Sequence, residues 1–229
     1  MPKKGQLVAL WDVDGTLLES SLERRFLRWL RANGHVSLPM TILAAAGRAL
    51  TGRWQWHQHK LAYLRGRSVN PVTSLAGRCW REELVGHLRP AAVDVVRQLQ
   101  KSGVEQILLS GSPRPLAECV ASHLELANVI AAEPEIIDRH YTGGLAAPHP
   151  RGRRKVTAAA AWLERHARNW EGTIALADHY DDRFLLERVT TAIAVFPDRR
   201  LEQLAKRRGW MIVQSDDDFA TLPEFLIRG

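Results

Sequence analysis

Apolar residues in this chain fall into short unbroken runs, and between the runs they recur at helical spacing. The strand candidates built on these runs are Leu7–Trp11, Glu105–Ser110, Thr173–Asp178, Thr190–Phe196 and a brief Trp210–Val213. Each is of strand length and bounded by polar or glycine-containing turns, the pattern of a strand buried on both faces. Between them, Ala91–Lys101 places Val93, Val95, Val96 and Leu99 along one helical face and stops at Gly103. Pro115–Leu126, Val156–Arg168, Arg183–Val189 and Arg199–Arg208 read as further helices. Strands alternating with helices favour a parallel sheet joined by crossover helices. Glu135–Leu145, with Gly143-Gly144 near its end, reads as a hairpin or an irregular excursion.

The alternation breaks between about Ser21 and His87. Leu22–Leu30 and Ile42–Leu50 have helical patterns, Trp54, Trp56, His57, His59 and Trp80 lie in the same stretch, and nothing there has a strand pattern. The chain therefore divides into an α/β core made of residues 1–20 and 88–229 and a helical insert, residues 21–87, placed after the first strand. So small an insert has little independent stability and reads as a lid on the core. Arg53, Trp54, Trp56, His57 and Arg65 are its candidates for contacting a substrate, since polar and aromatic groups on a lid can face the cleft.

Composition narrows the setting. Thirty-two Lys plus Arg against 25 Asp plus Glu give a formal charge of +7. Such a surface suits electrostatic steering of small anions as well as nucleic acid. The basic residues are scattered, however, and no dense basic arm or aromatic-interleaved RNA motif accompanies them. Cys79 and Cys119 have no metal-ligand or CxxC spacing and read as reduced thiols. Met1–Gly5 is not an apolar leader and no apolar stretch is long enough to span a bilayer, so the expected compartment is the cytoplasm and no membrane partner is expected. The oligomeric state is not legible.

The chemistry is concentrated where strands end. Leu7–Trp11 runs into Asp12-Val13-Asp14-Gly15-Thr16, two carboxylates two residues apart on a turn. Both are easily ionised together only if a cation sits between them. The second strand ends in Ser110-Gly111-Ser112-Pro113, a hydroxyl and an unhindered backbone N–H suited to a phosphate oxygen. Lys155 opens a helix after a basic run and can offset charge on a transferring group. Ile174–Ala177 ends in Asp178-His179-Tyr180-Asp181-Asp182, and oxygen ligands of this kind suit Mg²⁺.

In this order, Asp12/Asp14, Ser110, Lys155 and Asp178/Asp182 resemble the motifs of the haloacid dehalogenase superfamily. The closer likeness is to its phosphoserine-phosphatase-like branch (subfamily IB), which has a helical C1-type cap between the first and second motifs. The resemblance covers essentially the whole chain and implies a Rossmann-like parallel sheet. It implies that Asp12 attacks phosphorus to form an aspartyl-phosphate, and that Asp14 protonates the leaving alkoxide and then activates water. Ser110 and the Gly111 amide would hold the phosphoryl oxygens, with Lys155 balancing charge. Mg²⁺ would take Asp12, the backbone carbonyl of Asp14 and Asp178, with Asp182 in direct contact or one step removed. Gly15 and Thr16 would shape the turn.

Two departures matter. His179-Tyr180-Asp181 stands where many members have glycine or serine. Ser21, nine residues after Asp12, stands where phosphoserine-specific members have the glutamate that grips the substrate amine, which argues against L-phosphoserine. The expected function is a Mg²⁺-dependent phosphomonoesterase for a small phosphorylated metabolite. A phosphotransferase or mutase using the same aspartyl-phosphate, and a non-catalytic nucleic-acid- or partner-binding protein on this scaffold, are the alternatives.

Overall fold

The computed structural model describes residues 7–36 and 61–228. Its centre is a six-stranded parallel sheet in the order β3-β2-β1-β6-β7-β8. The strands are β1 (Val8–Trp11), β2 (Glu105–Pro113), β3 (Asn128–Ala132), β6 (Thr173–Ala177), β7 (Thr191–Val195) and β8 (Met211–Val213). A separate antiparallel hairpin is formed by β4 (Pro134–Ile137) and β5 (His140–Leu145).

The first strand shows why an unbroken apolar run belongs here. Ala9 and Trp11 point into one core and Val8 and Leu10 into the other, all buried. The two faces of a parallel sheet are both covered, so no polar alternation is needed. One face is covered by α5 (Arg153–Arg165), α6 (Arg183–Leu186) and α7 (Arg199–Arg208) through Trp162, Leu163, Leu185, Leu186 and Leu201. The opposite face is covered by α3 (Pro90–Lys101), α4 (Arg114–His123) and α8 (Asp216–Arg228), including Val96, Val120 and Phe219. Trp11 Nε1 donates to Gln106 Oε1 at 2.8 Å, and Gln106 Nε2 donates to the Val96 carbonyl at 2.9 Å. That buried polar chain ties β1 to β2 and to the helix preceding β2, just beneath the end of β1.

Between β1 and Leu88, the described residues form α1 (Leu22–Ala32), α2 (Val69–Glu82) and short 3₁₀ turns at Ala62–Leu64 and Leu84–His87. Helix α1 is amphipathic and buries Leu22, Phe26, Trp29 and Leu30. Trp29 Nε1 donates to Glu82 at the end of α2 at 3.1 Å. Two elements lack a counterpart in the sequence reading: edge strand β3 and the terminal helix α8. The excursion at Glu135–Leu145 is a hairpin, whose β5 pairs through His140 with Ser68. The helical pattern at Ile42–Leu50 lies outside the described residues.

Candidate active site

Strands β2, β1 and β6 are neighbours, so their C-terminal turns meet at one edge of the sheet. In open α/β sheets this edge is where ligands bind. A cavity of about 540 Å³ opens there. Asp12, Asp14, Gly111, Lys155, Asp178 and Asp182 all line it. Segments distant in sequence thus converge because the parallel register aligns Trp11 with Leu108 on one side and Leu176 on the other.

Lys155 organises the centre. It lies in the first turn of α5 and is almost wholly buried. Its Nζ donates to Asp12 Oδ1 at 2.5 Å and to Asp182 Oδ2 at 2.9 Å. Burial alone would lower the lysine pKa, but the charges of Asp12 and Asp182 outweigh it and hold the ammonium above its usual range. Asp12 is 6% exposed, and Thr16 Oγ1 donates to its other oxygen at 3.3 Å. Desolvation raises the Asp12 carboxyl despite Lys155, and it raises Asp182 likewise. Burial, reinforced by Asp12 and Asp182, pushes Asp178 up to about 8.

Asp14 has a different setting from Asp12. Its Oδ1 accepts the backbone N–H of Leu22 at 2.8 Å, and its Oδ2 accepts the Ser112 hydroxyl at 2.8 Å. The carboxylate is therefore held between the first turn of α1 and the end of β2, and desolvation raises its pKa.

The donor set fits a hard divalent cation. Asp12, Asp178 and Asp182 each offer an oxygen, and these atoms lie within 4.8 Å of one another. The neighbouring backbone leaves room for Asp178 only because residue 15 is glycine. A Cβ there would lie 2.1 Å from Asp178 Oδ2, and its φ of +92° is one that L side chains rarely adopt. Three carboxylate oxygens so placed could hold a hard metal ion, which would ease the like-charge crowding that raises Asp178.

The other predicted residues divide. Ser110 is fully buried at the floor, where its Oγ accepts the backbone N–H of Ser112 at 3.0 Å. Gly111 and Ser112, rather than the Ser110 side chain, face the cavity. Arg65 is exposed and is not among the lining residues; its Cβ packs beside Gly143 of the hairpin. Arg53, Trp54, Trp56 and His57 lie outside the described residues. Lining residues beyond the expected site residues include Ser112, His149, Arg151 and, from the start of α1, Glu23 and Arg24. Ser112 was visible in the Ser-Gly-Ser turn. His149 gave no signal, since it sits in a stretch without periodicity.

A family model described as haloacid dehalogenase-like hydrolase matches residues 9–187, a span that contains every residue of this cluster. The chain belongs to that family. Among its relatives is a phosphoserine phosphatase, SerB1, of Mycobacterium tuberculosis, 28% identical over 89% of this chain and 69% of that protein. A histidinol-phosphatase of Neisseria meningitidis is 23% identical over 90% of this chain and 97% of its own length. Among solved structures, a protein of unknown function from Bordetella pertussis superposes with a TM-score of 0.81 at 24% identity, covering 91% of this chain and 98% of the other. A phospho-aspartyl intermediate analogue of phosphoserine phosphatase gives 0.65 at 17% identity, covering 96% and 99%. The hydrolase fold is thus that of the phosphoserine-phosphatase-like branch. No helix among the described residues is long and apolar enough to cross a membrane.

Proposed function

We propose that the chain is a Mg²⁺-dependent phosphomonoesterase that hydrolyses a small phosphorylated metabolite through an aspartyl-phosphate on Asp12. The observation that carries this reading is the differing support of two carboxylates in one cavity. Asp12 is paired to a buried cation, Lys155, whereas Asp14 is held by a backbone N–H and a serine hydroxyl. The Lys155 ammonium beside Asp12 works against the desolvation that raises its carboxyl, favouring the ionised form that can attack phosphorus. Asp14, raised by desolvation and hydrogen-bonded to neutral donors, is suited to carrying a proton to the leaving alkoxide and taking one back from water. The Gly111 amide and Ser112 border the space the phosphoryl oxygens would occupy, and Lys155 offsets their charge.

Mg²⁺ would be held by Asp12 and Asp178, with Asp182 supporting it, and would neutralise phosphoryl charge. Asp182 is also shared with Lys155, which keeps both groups in place. Residues 21–87 act in this reading as a cap, because Asp14 is anchored to the start of α1 and Ser21, Glu23 and Arg24 at that helix start line the cavity. Glu23 and Arg24 at its mouth are suited to the charged groups of a small metabolite. The relatives that act on phosphoserine and histidinol phosphate support a substrate of this size. The two free thiols, Cys79 and Cys119, support a cytoplasmic location.

The test is a panel of phosphorylated amino alcohols, sugars and nucleotides with Mg²⁺, reading free phosphate. Release from at least one member, abolished in Asp12→Asn, is expected. Absence of release from every member and from a generic aryl phosphate would overturn the proposal.

A further inference from the structure

His149 is 7% exposed and lines the same cavity as Asp12 and Lys155. It belongs neither to the acidic cluster nor to the lysine pair. Its Nε2 lies 2.8 Å from the carbonyl oxygen of Gly111. A carbonyl can only accept, so Nε2 carries the proton in this contact. The fit is close on the other partner as well. A Cβ on Gly111 would lie 3.0 Å from His149 Cε1 and 3.5 Å from Nε2, and the Gly111 backbone is not in the left-handed region. Glycine at 111 is thus explained by the imidazole that lies against it.

The covalent arrangement gives this contact a consequence. The Gly111 carbonyl belongs to the peptide whose other end is the Ser112 N–H, and that N–H donates to Ser110 Oγ at 3.0 Å. Ser112 in turn donates its hydroxyl to Asp14 at 2.8 Å. A hydrogen bond on one end of a planar peptide sets the direction of the other. On the far side, the His149 carbonyl accepts the Arg151 N–H at 2.8 Å, in the turn that leads into α5 and Lys155. His149 therefore joins the turn after β2 to the helix start that carries the buried ammonium.

We propose that His149 is a positioning residue: its Nε2–H fixes the Gly111–Ser112 peptide, and with it the phosphoryl-binding turn, relative to Lys155. This rests on the reading of that turn as the phosphoryl site. The imidazole acts through the turn and has no proton-transfer role.

The experiment compares His149→Phe, His149→Gln, His149→Ala and Gly111→Ala, each with Mg²⁺. The readouts are kcat and KM on an aryl phosphate, competitive inhibition by inorganic phosphate, Mg²⁺ affinity by calorimetry, and thermal melting. His149→Phe fills the site without a donor, and losing the bond that holds the half-buried Gly111 carbonyl should let the turn reorient, weakening phosphate inhibition and kcat/KM roughly ten-fold or more. Mg²⁺ affinity should stay near the wild-type value. His149→Gln, whose amide can donate to the same carbonyl, should recover most of the loss. Gly111→Ala should be damaging alone but add little in the His149→Ala background, where the space is vacated; such non-additivity is expected of residues in contact. If His149→Phe does not fold, the Gly111→Ala cycle carries the test.

Near-normal phosphate inhibition and turnover in His149→Phe would overturn the proposal. So would equal loss in His149→Gln and His149→Phe, or additivity of Gly111→Ala with His149→Ala. If the wild-type protein itself neither turns over a phosphomonoester nor binds phosphate, the functional reading falls with it. Wild-type turnover with unaffected variants removes only the role of His149.

Discussion

The carboxylate of Asp198 accepts the backbone N–H of Tyr180 at 2.7 Å, and the N–H of Asp198 donates to the carbonyl of Asp178 at 2.9 Å. The same carboxylate caps α7 by accepting the N–H groups of Arg200 and Leu201. Although partial burial opposes it, this ring of donors holds the Asp198 carboxyl below its usual range. The acidic turn after β6 is therefore fastened to the start of α7, across β7. Asp198→Ala should cost about 1 kcal/mol as a lost cap and loosen the Asp178 turn. The expected result is a lower melting temperature together with weaker Mg²⁺ binding by calorimetry. A fall in melting temperature with Mg²⁺ affinity unchanged would confine Asp198 to capping.

The two carboxylates of the first turn should separate by phenotype. Asp12→Asn removes the nucleophile and should abolish both turnover and phosphoenzyme. Asp14→Asn should leave the fold intact and, with a good leaving group, accumulate phosphoenzyme because water activation is lost. Acid-quench trapping of labelled protein reads this directly. Near-normal turnover in Asp12→Asn would require another nucleophile.

Metal removal should show itself in stability as well as in rate. With a carboxyl pushed up to about 8, Asp178 keeps a proton in the folded state that it releases when unfolded. Stability of the metal-free protein should therefore fall as pH rises from about 4 to about 8, where the folded state binds more protons than the unfolded one. Mg²⁺ should reverse this trend, raising the melting temperature most at the alkaline end, and EDTA should abolish phosphate release. Melting curves across pH, with and without Mg²⁺, decide the point. A Mg²⁺ effect equal at all pH values would count against the carboxylate cluster as its site.

Gly15→Ala is a sharper probe of the same cluster. The added methyl would meet Asp178 Oδ2 at 2.1 Å, and the backbone would be held at a φ of +92°. Strain of this kind costs on the order of 1–3 kcal/mol. Loss of Mg²⁺ binding and turnover is expected, with a lowered melting temperature. A variant that binds Mg²⁺ as the wild type does would mean that Asp178 has another position open to it.

The sequence was most informative where burial and chemistry coincide. Leu7–Trp11 is apolar on both faces because two helical layers cover it, so the run and its terminal Asp12 and Asp14 were readable together. Lys155 and Asp182 were readable as types, while the bond between them needed the fold. β3 escaped notice because Asn128, Val129 and Ile130 are only partly buried at the sheet edge, which weakens the apolar signal. The Ser-Gly-Ser turn was readable as a phosphate-binding type at Ser110 and Gly111, while the bond from Ser112 to Asp14 needed the fold. His149 escaped for a related reason: its significance lies in contact with a glycine 38 residues away.

Strand β1 lies between β2 and β6, yet residues 12–104 intervene before β2 begins and β6 is more distant still. Pairing across such separations is slow because long loops must close before any contact rewards them. Helices in the intervening segments can form on their own much faster than that. During refolding, helical ellipticity should therefore return before the ability to release phosphate. Recovery of catalysis is the clock that reports when the central strand has found both of its neighbours.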